Sequence, residues 1–298
     1  MNIIVTGITG QVGFELQRSL APFGRVLAPT REELDLTTPA AVADYLNDLS
    51  RSDQRPALIV NAAAYTAVDK AESEPELAQR LNAELPEQLA RYCAKHDVPL
   101  VHYSSDYVYP GQGDTPWQET SPTGPLSVYG QTKLEGDSAI AESGAYHLIF
   151  RTSWVYSARG HNFMKTMLRL GRERDSLAVV SDQIGAPTPA RLIAEITALA
   201  VARLTTQPLD AGIYHLAPRG ETSWHGFAQA IFEQAAQRGE PLAIRPGNVQ
   251  AIPTVDYPTP AQRPLNSRLD VSRLESALAI QLPDWRSQLG LTLDELLG

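Results

Sequence analysis

Residues 2–13 read Asn2-Ile3-Ile4-Val5-Thr6-Gly7-Ile8-Thr9-Gly10-Gln11-Val12-Gly13, and this stretch decides the fold. The β-branched run over 2–6 predicts a buried strand. Gln11–Phe23 predicts a helix, with Val12, Leu16 and Leu20 on one face. Between them the glycines have distinct uses. Gly7 makes the tight turn, Gly10 lets the backbone approach a pyrophosphate, and Gly13 lets the helix lie close on the sheet. The helix N-terminus then presents free N–H groups to the phosphates. The spacing is GxxGxxG rather than GxGxxG, so the strand–turn–helix context carries the reading.

Outward from this opening the first half alternates. Strands are predicted at Arg25–Ala28, Ala57–Ala64, Leu100–Tyr109 and His147–Tyr156. Helices are predicted at Pro39–Leu49, capped by Thr37 or Thr38, at Pro75–His96 and at Leu126–Glu142. Such alternation predicts an α/β fold, a Rossmann-type doubly wound parallel sheet with helices on both faces. The second half is less regular, with strands at Leu177–Gln183 and Gly212–Leu216 and helices at Ala190–Leu204 and Trp224–Arg238. The tract Arg245–Leu269 carries Pro246, Pro253, Pro258, Pro260 and Pro264 and is expected to be irregular, a binding loop or a surface connector. Residues 1–155, with a returning segment at about 188–218, are expected to form the dinucleotide-binding domain. Residues 156–187 and 219–298 would form a smaller C-terminal α/β substrate-binding domain.

Composition removes other classes. The 298 residues are 43% hydrophobic and 20% charged, with net charge −9, and no lysine- or arginine-rich block offers a nucleic-acid surface. One cysteine, Cys93, excludes an internal disulfide framework and a cysteine-built zinc site. The six histidines include no HExxH spacing, and His102 and His147 are expected as satisfied core residues. No G-x-S-x-G elbow is present. The start at Met1-Asn2 lacks a secretory pattern, and the apolar stretch Leu192–Leu204 is interrupted by Glu195 and Arg203, short of the roughly 20 apolar residues of a span. A cytoplasmic protein with no membrane or nucleic-acid partner is expected.

Two further constellations carry chemistry. Near the end of the second strand, Thr30-Arg31 stands where a carboxylate would favour NAD. A guanidinium suits a 2′-phosphate, so NADPH is expected, with NADH possible if Glu32 or Glu33 binds the ribose instead. Tyr129 and Lys133 lie four apart on a predicted helix and share one face. A phenol ordinarily titrates near pH ~10, and a neighbouring ammonium favours its phenolate. Ser105 closes the fourth strand at the carboxyl edge, where a hydroxyl can orient a substrate carbonyl.

Ser105, Tyr129 and Lys133 in this order after the glycine opening resemble the extended short-chain dehydrogenase/reductase family. The stretches Asn61–Glu72, Tyr103–Tyr109, Val128–Lys133, Arg151–Tyr156, Asp182–Thr188 and Tyr257–Leu269 resemble the dTDP-4-dehydrorhamnose reductases within it. The resemblance implies transfer of a hydride from NADPH or NADH to C4 of dTDP-4-dehydro-6-deoxy-L-mannose. It implies that Tyr129 donates the proton, Lys133 tunes Tyr129 and binds the ribose, and Ser105 orients the carbonyl. For the cofactor it implies Gly10, Gln11 and Val12 at the pyrophosphate, Asp35 and Leu36 at the adenine, and Ala62, Ala63, Ala64 and Tyr103 elsewhere. For the sugar nucleotide it implies Val68, Asp106 and Trp154, with Arg263 and Arg268 on the pyrophosphate. Tyr65 replaces a histidine common in relatives. Some relatives hold magnesium between subunits. Glu15 and Glu195 match two of those positions, but Arg191 falls where an acid is needed and would repel a cation, so no metal is expected. Arg191 would pair with Glu15 of a neighbour in a homodimer; a monomer remains the alternative. The rival functions are a nucleotide-sugar epimerase or dehydratase of the same superfamily, and a non-catalytic dinucleotide-binding regulatory subunit.

Overall fold

The structure is a computed structural model describing residues 1–298. Its first half runs β1 (Asn2–Thr6), α1 (Gln11–Leu20), β2 (Arg25–Leu27), α2 (Pro39–Arg51), β3 (Leu58–Asn61), α3 (Val68–Ala71), α4 (Pro75–Gln79), α5 (Leu85–His96), β4 (Leu100–Ser105), α6 (Val128–Glu142) and β5 (His147–Thr152). The second half adds β6 (Val155–Tyr156), α7 (Phe163–Glu173), β7 (Leu177–Val180), β8 (Ile184–Gly185), β9 (Thr188–Pro189), α8 (Ala190–Arg203), β10 (Gly212–His215), β11 (Thr222–Ser223), α9 (Trp224–Gln237), β12 (Val249–Ile252), β13 (Asn266–Ser267), α10 (Ser272–Leu278) and α11 (Trp285–Leu297). Six strands make one sheet in the order β10-β5-β4-β3-β1-β2, every pair parallel. The strand order reverses at β1, with β2 on one side and β3 on the other. The carboxyl ends there open the crevice in which such folds bind ligands.

Strand alternation sends successive side chains to opposite faces. Ile3, Val5, Leu58, Val60, Val101, Leu148 and Phe150 enter one core, against Leu16 and Leu20 of α1 and Ile193, Ile196 and Ala200 of α8. Ile4, Ile59, Leu100 and Ile149 enter the other, against Val42 and Leu46 of α2 and Leu85, Leu89 and Cys93 of α5. Both faces being covered, the strands read as continuous apolar runs. A separate core joins α7, α9 and α11 around Phe227, Phe232, Trp285 and Leu289.

Three local expectations are corrected. The strand predicted through Tyr156 stops at Thr152 and resumes at Val155, because Trp154 adopts φ +50°, a left-handed conformation that interrupts extended backbone. The proline-rich tract is not wholly irregular. Its residues Val249–Ile252 pair in parallel with β7, and Asn266–Ser267 pair with β8. The helical stretch 75–96 is continuous but widens into one π turn at Arg80–Glu84, which carries Asn82 inward. No helix is long and apolar enough to cross a membrane.

Candidate active site

The glycine loop has the geometry of an anion cradle. Gly7 sits at φ +70°, and a Cβ there would stand 2.5 Å from the Ala62 carbonyl oxygen. A Cβ on Gly13 would stand 2.2 Å from the Gly7 carbonyl oxygen. Loop, β3 end and helix therefore meet backbone to backbone. Gly10 caps α1 without a side-chain hydrogen bond, leaving the N–H groups of the first turn turned outward. These features fit a pyrophosphate. Ala62, Ala63 and Ala64 follow β3 beside the loop, Ala63 only 8% exposed. The Gln11 side chain turns away, accepting hydrogen bonds from Ser157 (2.9 Å) and Asn162 (2.8 Å) and tying the loop to the second half.

At the end of β2, the Thr30 main-chain N–H donates to Glu33 at 2.8 Å, so this acid folds back on its own turn. Asp35 accepts from the Thr37 main-chain N–H (3.0 Å) and hydroxyl (2.7 Å), which hold its carboxyl below the usual range. Arg31 is exposed and makes no ion pair. Leu36 packs on the second core.

Helix α6 carries the central pair. Its amino end is fixed by Ser127, which accepts from the Gly130 N–H at 3.2 Å, and by Glu72, which accepts from the Val128 N–H at 2.9 Å. A Cβ at Gly130 would meet the Tyr107 carbonyl oxygen at 2.3 Å, so the glycine after Tyr129 lets the helix lie against residues 106–108. The inward line of α6 is not apolar: Thr132, Lys133 and Asp137 are all buried. The Tyr129 ring meets Tyr107 edge-on at 5.4 Å.

The electrostatics differ from the sequence expectation. Lys133 Nζ donates to the Tyr103 carbonyl oxygen at 2.6 Å and lies 3.2 Å from His102 Nε2. Burial pushes it down to about 8, against the opposing pull of Asp137. Burial pushes the Tyr129 phenol up, and only the Ser105 hydroxyl acts the other way. Burial thus dominates, and Tyr129 rests as the protonated phenol. Tyr103 serves through its carbonyl; its ring lies on the opposite face, where its hydroxyl bonds Thr197 at 2.8 Å.

Ser105 Oγ donates to Asp106 at 3.1 Å and accepts from the Tyr107 N–H at 3.2 Å. Asp106 is 1% exposed, with one carboxylate oxygen unpartnered, and burial pushes it up to about 6. Trp154 stacks on Trp224 with centroids 3.8 Å apart. Val68 opens α3, next to Asp69, which pairs with Arg263 at 2.6 Å. Arg263 also donates at 3.0 Å to the hydroxyl of Tyr107, the ring that Tyr129 packs against. Arg268 lies farther along, paired with Glu221 at 2.6 Å.

Two sequence readings change. Arg191 pairs with Glu15 (3.4 Å) and Glu295 (2.8 Å) within its own chain. Tyr65 turns its hydroxyl to Glu74 at 2.5 Å, a structural contact. The sequence reading missed Asn61, Asn82, Arg151 and the link from His102 to Lys133. Their only sequence signal is polarity at core positions of strands and helices, which is costly unless a partner is supplied.

Comparison with known proteins gives a consistent result. The family model described as RmlD substrate binding domain matches residues 1–297. A dTDP-4-dehydrorhamnose reductase of Shigella flexneri is 50% identical over 99% of this chain and 98% of its own. A crystal structure of a dTDP-4-dehydrorhamnose reductase from Clostridium acetobutylicum superposes with TM-score 0.89 at 33% identity, covering 100% of both chains. Another, from Bacillus anthracis in complex with NADP, gives TM-score 0.86 at 32% identity over 99% of both chains.

Proposed function

The chain belongs to the dTDP-4-dehydrorhamnose reductase family, and from that premise we propose how its own residues perform the reduction. The reaction reduces the C4 keto group of dTDP-4-dehydro-6-deoxy-L-mannose with NAD(P)H and yields dTDP-L-rhamnose, the last step of its synthesis. When bound, the dinucleotide supplies the hydride. Everything else falls to the protein.

Gly7, Gly10, Val12 and Gly13 cradle the pyrophosphate on the first turn of α1, with Gln11 bracing the loop. Ala62, Ala63 and Ala64 line the cofactor side, and Thr30, Asp35 and Leu36 border the adenosine end. Ser105 orients the C4 carbonyl, turning its proton from Asp106 to the substrate oxygen. Tyr129 donates a proton to the oxygen as it becomes an alkoxide. The observation that carries this role is placement: Tyr129 and Lys133 stand one turn apart on α6, beside the end of β4 that carries Ser105, with Lys133 Nζ anchored on the Tyr103 carbonyl at 2.6 Å. Lys133 stands one turn away to bind the ribose and renew that proton. Asp106 and Trp154 hold the sugar, Val68 borders it, and Arg263 and Arg268 bind the diphosphate. In this reading residues 1–155 with 188–218 bind the dinucleotide, since β10 completes the main sheet, and residues 156–187 with 219–298 bind the sugar nucleotide.

The direct test is absorbance on mixing the protein, NADPH and the dTDP-keto sugar. Stoichiometric loss of NADPH is expected. A hydride-returning epimerase or dehydratase would consume none, and that result would refute the reading. Arg31 is proposed to bind the 2′-phosphate, since it is exposed and free of ion pairs at the end of β2. Arg31→Ala is expected to raise Kd for NADPH about tenfold or more while leaving NADH nearly unchanged. Equal weakening of both would refute this assignment.

A further inference from the structure

The segment Ser157–Asn162, between β6 and α7, lies on the first turn of α1. Asn162 Nδ2 donates to Gln11 Oε1 at 2.8 Å, and Ser157 Oγ lies 2.9 Å from the same oxygen. The sense of the bond is fixed. Asn162 Oδ1 takes the Lys165 main-chain N–H at 3.1 Å, so its amide nitrogen faces Gln11 and Gln11 must offer its oxygen. A Cβ on Gly160 would stand 3.4 Å from Gln11 Cγ, so the segment rests against α1 itself.

Arg159 projects from this segment and is exposed. Its guanidinium lies over the Phe14 ring, 3.5 Å from the centroid. Phe14 closes the first turn of α1, its N–H donating to the Gly10 carbonyl at 3.0 Å. Only the main chain of Arg159 is hydrogen-bonded, to Ser157 and Asn162. Its side chain forms no ion pair. A guanidinium laid on a ring face keeps its fork of N–H groups for an anion.

The charge of the cradle calls for such a group. Each phosphate of a dinucleotide pyrophosphate is an anion, yet residues 2–14 carry no charged side chain, and the loop meets the phosphates with N–H dipoles alone. In a chain of net charge −9 the compensating cation must be local. Other basic groups near α1 are committed or misplaced. Lys165 Nζ donates to the Ala158 carbonyl at 3.2 Å, and Arg18 stands in the last turn of α1, at the opposite end of the helix.

We propose that Arg159 binds the dinucleotide pyrophosphate, a cation that the sugar-nucleotide half lays across the first turn of α1. From Phe14 to Gly10 is about 6 Å along the helix axis, a span the arginine covers by rotating about its own side-chain bonds. The proposal rests on the reading of the glycine loop as the pyrophosphate cradle, and it makes both halves of the chain hold the cofactor.

Calorimetric titration tests it without turnover. NADPH and NADH share the pyrophosphate, so Arg159→Gln is expected to raise Kd for both by about tenfold. Adenosine 2′-phosphate lacks the pyrophosphate and should bind as it does to the parent. Arg159→Lys restores the charge and should recover most of the loss. The side chain is exposed, so Tm should not move. Unchanged Kd for both dinucleotides overturns the proposal. So does weakening of NADPH alone, weakening of adenosine 2′-phosphate by the same factor, or a loss that lysine does not relieve. A parent protein that binds neither dinucleotide would instead refute the cradle, so the two failures are distinct.

Discussion

Tyr129→Phe is expected to lower kcat for reduction by about 10²- to 10⁴-fold, the usual contribution of a placed proton donor. The loss should be confined to chemistry. The ring packs edge-on against Tyr107 at 5.4 Å, and phenylalanine preserves that contact. Thr132, Lys133 and Asp137 hold the helix through bonds that do not involve the phenol. The Kd for NADPH and the Tm should therefore stay close to those of the parent, and KM for the sugar nucleotide should change little. Stopped-flow absorbance under single turnover reads the chemical step directly. A variant that turns over within a few-fold of the parent would remove Tyr129 as the donor, and a phenol already ionised at neutral pH would do the same. Retained biological activity in Tyr129→Phe would favour the regulatory-subunit reading.

How much of this was legible in the sequence depends on whether each feature is local. The glycine opening is local: Gly7, Gly10 and Gly13 lie within one strand–turn–helix, and their spacing follows from backbone sterics at neighbouring positions. Tyr129 and Lys133 are also local, one turn apart on one helix, so their shared face follows from the helical period. The electrostatic balance between them is not local. The helical spacing predicts that Lys133 pulls the phenol down, but the sheet behind α6 engages Nζ with a carbonyl and an imidazole, and burial raises the phenol. His102 was read as a satisfied core histidine, and it is satisfied. What the sequence could not show is that its partners lie 41 and 31 residues away, Asn61 across the parallel β3–β4 pair and Lys133 from α6 packed on the sheet. The π turn at Arg80–Glu84 is illegible for a similar reason. Asn82 is drawn inward by the Tyr65 main chain and Thr132, and nothing in the local sequence marks the extra residue. Arg191 shows the limit of reasoning by resemblance. The charge reversal is visible in the sequence, but that Glu15 and Glu295 of the same chain reach Arg191 follows only from the packing of α1, α8 and α11.

The largest stability effect is expected one turn beyond Lys133. Arg151 and Asp137 form an ion pair at 2.9 Å with side chains 3% and 2% exposed. Arg151 also donates to the Tyr109 hydroxyl at 2.9 Å. That hydroxyl also lies 2.6 Å from His215 Nε2 and 3.1 Å from the Gln118 carbonyl oxygen, while His215 Nδ1 faces the Asp270 carbonyl at 3.1 Å. Burial, and after it Arg151, hold His215 down to about 3, so it stays neutral and one buried cation serves the whole cluster. Arg151→Met leaves the Asp137 carboxylate buried and alone, with Oδ1 already lacking a partner. The expected cost is about 3–5 kcal/mol of unfolding free energy, or a Tm lower by about 10 °C. Asp137→Leu with Arg151→Met removes both charges, and most of the loss should return, because the penalty belongs to the orphaned carboxylate and not to a missing attraction. Denaturant melts of the two single variants and the double close that cycle, and equal destabilisation in Arg151→Met and the double would contradict it. The double variant also separates folding from function. Asp137 is the one charge that favours the protonated form of Lys133, so a chain restored in stability should still carry a lysine that gives up its proton at lower pH than in the parent.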